Sequence, residues 1–168
     1  MPLIDATKAT DCPCATIGDL AVLDMVHDRL DTFIQTKRRG EPWRWLSLDI
    51  CRECGQSWLV GQEERQNDVC CFRRLDVETT DRILQEGIWP SDFDCYETLL
   101  EMGRDAGHKV IRGKNSLFLH SLIIDIARER PGIRTSELMT LLNIKGSDIE
   151  EVAQAAVNSS GVVITFDC

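Results

Sequence analysis

The sequence predicts an α+β fold in which a small antiparallel meander with a helical insert is clamped by cysteines and packed on a mainly helical C-terminal half. Three observations predict it. Stretches with alternating apolar residues lie between positions 45 and 75, apolar spacing of three and four governs the chain from 78 onward, and two close cysteine pairs fall within the first 54 residues.

Thr16 to Thr36 reads as a first helix, because Leu20, Leu23, Val26, Leu30 and Phe33 recur three or four apart and Asp19 sits near its positive end. Lys37-Arg38-Arg39-Gly40-Glu41-Pro42 stops it. Three strands follow: Trp45 to Ile50, Ser57 to Gly61, and Val69 to Leu75. Thr79 to Gly87 is a short helix. A further helix restarts at Ser91, its N-cap, and buries Phe93, Tyr96, Leu99, Leu100 and Met102, with Gly103 and Gly107 ending it. His108 to Ile111 is extended, and Arg112-Gly113-Lys114-Asn115 is a turn. Helices are then expected over Leu117 to Arg130, Thr135 to Leu142 (capped by Thr135) and Ser147 to Val157 (capped by Ser147), with a closing strand Val162 to Phe166. The expected units are 1–76 and 77–168.

Composition narrows the function. The net charge is −9 with a pI near 4.8, a surface that repels a phosphate backbone and suits a basic protein partner. No apolar run approaches the roughly 20 residues that cross a bilayer, and the N-terminus lacks a secretory pattern. The expected location is the cytoplasm, where eight cysteines are thiols or metal ligands.

Cys12, Cys14, Cys51 and Cys54 carry the clearest chemistry. Two short turns, each bearing two thiolates, supply the four soft ligands of a tetrahedral zinc ion, and four thiolates close the site so that it is structural. Gly55 supports the second turn, since glycine bends into positive φ without strain and lets backbone N–H groups point at the sulfurs. Over residues 10 to 75 this arrangement resembles the zinc ribbons, in which two knuckles clamp one zinc. The first pair has one intervening residue where zinc ribbons have two, so Cys70 and Cys71 stand as alternative ligands. Vicinal cysteines on a strand point to opposite faces, which would expose one of them. Trp43, Trp45, Trp58 and Trp89 crowd the same region; at least two of them are expected to bond it to the helical half, and any left exposed is a candidate interface anchor.

The last 54 residues resemble winged-helix domains in layout. A DNA-reading version needs basic or amide side chains on its third helix, whereas Asp148, Glu150 and Glu151 open this one and no Lys or Arg lies between Ser147 and Val157. No nucleophile turn, phosphate loop or catalytic metal spacing occurs, and His27, His108 and His120 have no catalytic setting, so no enzyme is expected. In type, a small acidic chain of this kind resembles bacterial immunity proteins, which occlude a basic toxin domain. Its expected partner surface is Glu63, Glu64 and Asp68, in a polar loop, with Asp148, Glu150 and Glu151. A zinc-containing winged-helix regulator is the alternative, if Lys37, Arg38, Arg39, Arg73, Arg74, Arg112 and Lys114 gather on one face. A cysteine–histidine enzyme using Cys70 or Cys71 is the third reading.

Overall fold

The computed structural model describes residues 12–24, 31–41, 45–63, 69–107, 117–144 and 146–167. Its chain divides into two compact units, Met1–Glu63 with Asp68–Asp94, and Cys95–Cys168 with Glu64–Asn67. The boundary falls after Asp94 and not after residue 76, because the segment following the sheet is tied back to it. Lys37 Nζ donates to the carbonyls of Ile83 (2.6 Å) and Leu84 (3.3 Å), Trp45 Nε1 donates to the Phe93 carbonyl (3.1 Å), Arg73 pairs with Asp92 (2.9 Å), and Arg39 pairs with Asp94.

The first unit is a five-stranded antiparallel sheet of β1 (Leu20–Asp24), β2 (Phe33–Arg38), β3 (Leu46–Cys51), β4 (Ser57–Glu63) and β5 (Val69–Leu75), in the order β1-β5-β4-β3-β2. The three expected strands are present. The expected helix over Thr16 to Thr36 is not: its described ends are β1 and β2, at opposite edges of the sheet. Leu20 and Val22 alternate as well as Leu20 and Leu23 recur, and the competition is decided by pairing at a distance. β1 forms five register pairs with β5, and β2 lies along β3 with a bulge between Gln35 and Lys37. After β5, Asp76 caps helix α1 (Val77–Asp81), accepting from the Thr79 N–H at 2.7 Å, and a π turn (Arg82–Glu86) ends at Gly87 with φ 71°.

The second unit contains α2 (Tyr96–Asp105), α3 (Leu117–Glu129), β6 (Ile133–Arg134), α4 (Thr135–Leu142), α5 (Gly146–Ser160) and β7 (Ile164–Thr165). Helix α2 starts five residues after Ser91 with Cys95 at its N-cap position, and buries Tyr96, Leu99, Leu100 and Gly103. Leu122, Ile123, Ile126, Leu138, Leu142, Ile149 and Ala153 form the core between α3, α4 and α5. The order of elements from α3 follows the expected cadence, and β7 pairs parallel with β6, Ile133 opposite Ile164. Thr135 does not cap α4. Asp167 does so from beyond β7, accepting the Ser136 N–H (2.7 Å) and the Thr135 hydroxyl (3.2 Å), while the Arg134 N–H donates to Glu137 (2.9 Å). Ser147 lies inside α5, which begins at Gly146. The segments around His108 and Arg112 lie outside the described residues. No described helix is long and apolar enough to cross a membrane.

Candidate metal centre

Strand register brings the cysteines together. Leu20 lies opposite Arg73, Ser57 opposite Leu75 and Ile50, and Phe33 opposite Cys51. One end of the sheet therefore gathers the entry to β1, the turn between β3 and β4, and the exit of β5. Cys51, Arg52, Glu53 and Cys54 turn there, closed by Gly55 N–H to Cys51 O (2.9 Å) and Cys51 N–H to Gln56 O (3.0 Å), with Gly55 at φ 74°. Cys12 and Cys14 flank the start of a 3₁₀ turn (Pro13–Ala15), in which the Ala15 N–H reaches the Cys12 carbonyl at 3.0 Å.

The four sulfurs lie within 4.8 Å of one another, with Cys12 Sγ and Cys51 Sγ at 3.5 Å. A tetrahedron with metal–sulfur bonds of about 2.3 Å has edges of about 3.8 Å, so the quartet fits a single ion with small adjustments. Cys12, Cys14 and Cys51 are buried and Cys54 is partly exposed. Cys54 borders a hollow of about 460 Å³ shared with Gln56, Ser57, Leu75 and Val77, which gives an ion a way in.

The electrostatics favour a cation. Burial pushes the Cys12 thiol up to about 11 and raises that of Cys14 as well. Burial acts upward on Cys51 too, but the N–H groups of Cys54 and Glu53, the Thr32 hydroxyl and the Cys12 thiol outweigh it and hold that thiol down at about 6. A single anionic sulfur beside two buried neutral thiols invites a divalent ion, which supplies the charge needed to ionise the rest.

Residues for which the sequence suggested other roles hold the first turn in place. Arg74, opposite Trp58 in the β4–β5 register, stacks on the indole at 4.5 Å. Its Nη2 donates to the carbonyls of Cys14 (2.9 Å) and Ile17 (2.7 Å), and its Nη1 to Gln56 (3.0 Å). Trp58 in turn meets Phe72 and Phe33 at 6.1 and 6.2 Å, inside a cluster with Val60, Cys70 and the ligand cysteines. Nothing in the sequence separates Arg74 from Arg73; only the strand register does. Trp58 thus works inside the sheet, whereas Trp45 reaches the Phe93 carbonyl, in the chain beyond residue 76 that the sequence reading assigned to the helical half. Trp43 lies outside the described residues.

Other expected site residues are distributed as follows. Cys70 and Cys71 are not members of the sulfur quartet and both are buried, because both faces of β5 are covered. Burial, with the charges of Cys70 and Glu63, pushes the Cys71 thiol up to about 12. Glu63, expected in an exposed loop, ends β4 fully buried and so presents no surface to a partner. Glu64 and Asp68 lie outside the described residues. Glu150 and Glu151 are exposed on α5, and Asp148 is half-buried in its first turn. Comparisons with protein-family models, curated proteins and solved structures return no match.

Proposed function

We propose that this chain is a non-catalytic cytoplasmic binding protein, held together by one structural zinc ion in a zinc-ribbon-like centre, and that it occludes a basic protein domain as an immunity protein occludes a toxin. The observation that carries the reading is the closed quartet of Cys12, Cys14, Cys51 and Cys54. It spends all four donors on the ion and leaves no position for water or substrate. What remains for recognition is charge. Residues 1–94 carry eighteen Asp and Glu against eleven Lys and Arg, and zinc with four thiolates adds a further −2. On the winged-helix-like unit, taken by itself, Glu150 and Glu151 are exposed acids.

The alternatives lose support on particular residues. Of the seven cations that a nucleic-acid-binding regulator would gather, Lys37, Arg39, Arg73 and Arg74 are engaged by carboxylates or carbonyls of their own unit, and Arg38 reaches Gln62 at 3.3 Å. A thiol enzyme built on Cys71 would need a lowered thiol, and burial raises this one. The test is recovery of partners from native cytoplasm at low and high salt, with metal measured on the same sample. A single stoichiometric basic protein that salt releases, with about one zinc per chain, is the expected result. Recovery of DNA, or binding indifferent to ionic strength, overturns it.

A further inference from the structure

The centre contains two buried donors that the rest of the fold leaves unused. Trp58 is fully buried, yet its Nε1–H closes no hydrogen bond of ordinary geometry, and neither does the buried Thr32 Oγ1, although each acts on the charge of a ligand sulfur. Buried polar groups are satisfied as a rule, so an orphan calls for a partner. Both orphans sit at the sulfur cluster: the Trp58 ring packs among Cys12, Cys14 and Cys51, and Thr32 precedes Phe33, which lies opposite Cys51, with the Thr32 carbonyl accepting the Arg52 N–H at 2.8 Å. The indole is fixed there by Phe33, Phe72 and the Arg74 guanidinium on its face. Arg74 also holds the Cys14 carbonyl, so donor and sulfur are positioned by one side chain.

We propose that Trp58 and Thr32 are sulfur-directed positioning residues of the metal centre: with a divalent ion bound, the indole N–H donates to the Cys14 thiolate and the Thr32 hydroxyl to the Cys51 thiolate. A neutral thiol sulfur is a poor acceptor and a metal-bound thiolate a good one, so the ion turns both orphans into paired donors. Together with the N–H of Cys14 beside Cys12, and those of Glu53 and Cys54 beside Cys51, they spread the −2 charge of a four-thiolate site over fixed dipoles. The inference rests on the metal reading above and adds to it the groups that set how tightly the ion is held.

The full-length chain and its Trp58→Phe, Thr32→Val and Thr32→Ser variants are titrated with cobalt(II) and with zinc(II) against a chromophoric chelator, and the sulfur-to-cobalt charge-transfer bands are recorded. Phe keeps the ring and its packing, Val keeps the shape of Thr, and Ser keeps the hydroxyl. Trp58→Phe and Thr32→Val each weaken binding by about 10-fold or more, and both move the bands to lower energy because an undonated thiolate holds its electrons less tightly. Thr32→Ser retains the wild-type bands. Folded Trp58→Phe and Thr32→Val proteins with wild-type affinity and unmoved bands overturn the assignment while leaving the metal centre standing. Should Trp58→Phe not fold, the Thr32→Val and Thr32→Ser pair decides alone. A wild-type chain that takes up neither ion overturns the metal reading and this inference with it.

Discussion

Replacing Arg74 by lysine keeps the charge and removes the fork. The guanidinium reaches the Cys14 and Ile17 carbonyls through one nitrogen and Gln56 through the other, while lying over the Trp58 ring. A lysine ammonium is compact and strongly hydrated, and it cannot stack flat on an indole while bonding in its plane. Each bond from a charged donor is worth roughly 1.5–3 kcal/mol, and the ring contact roughly 0.5–2 kcal/mol. The Asp19 partner, at 3.2 Å, is 86% exposed and adds little. Lysine keeps at most one of the two carbonyl bonds. Because the Arg74 side chain is itself 30% exposed, the lower part of these ranges applies, giving a loss of about 2–4 kcal/mol for Arg74→Lys. Urea unfolding of the protein prepared with zinc added, followed by tryptophan fluorescence, measures it. A loss under about 0.5 kcal/mol, the usual effect of an unremarkable surface change, would show that the first cysteine turn does not depend on this side chain.

Cys54→Ser is expected to lose the metal, and Cys70→Ser to keep about one ion per chain as measured by mass spectrometry under native conditions; the reverse pattern would move the quartet. Stripping the ion with a chelator should unfold the first unit, seen as loss of the Trp58 fluorescence environment, since metal binding and folding are coupled in such modules. Gly55→Ala places a Cβ at φ 74° and should cost roughly 1–2 kcal/mol, again by urea unfolding. The fourth concerns acid. The Ser136 side chain and N–H hold Asp167 down at about 2, against an ordinary 3.8. A depressed carboxyl contributes stability that is present above its unfolded value and is lost as pH falls through the folded one. The gap in unfolding midpoint between wild type and Asp167→Asn should therefore be constant above about pH 4 and close towards pH 2; a gap that persists at pH 2 would contradict the cap.

The sulfur quartet and strands β3 to β5 were legible because each signal is local: a cysteine turn needs only its own spacing and Gly55, and Val69 to Leu75 reads as a strand by itself. The segment from Leu20 to Phe33 was not, since its leucines satisfy a helical spacing and a strand alternation alike, and β5 decides between them from a distance. Glu63 misled for a related reason. All but one residue of β4 is buried, so sequence alternation does not report which side chains meet water. Thr135 has the chemistry of a cap, but Asp167, far along the chain, takes the position. Arg74 became visible only once register set it across from Trp58.

The strand order carries a consequence for how the molecule is made. β1 lies beside β5, the last strand of the sheet, whereas the four ligand cysteines all precede β4. In a chain emerging from its N-terminus, the sulfurs are complete before the strand that β1 pairs with has been synthesised, and before Arg74 can fasten the first turn. An ion captured at that stage ties the start of β1 to the turn between β3 and β4 and closes a long loop early, so that β5 enters between β1 and the β3–β4 hairpin, already tethered to each other. On the metal reading proposed above, the ion would act as the assembly jig of the sheet, and its supply during synthesis would govern how many chains reach the folded state.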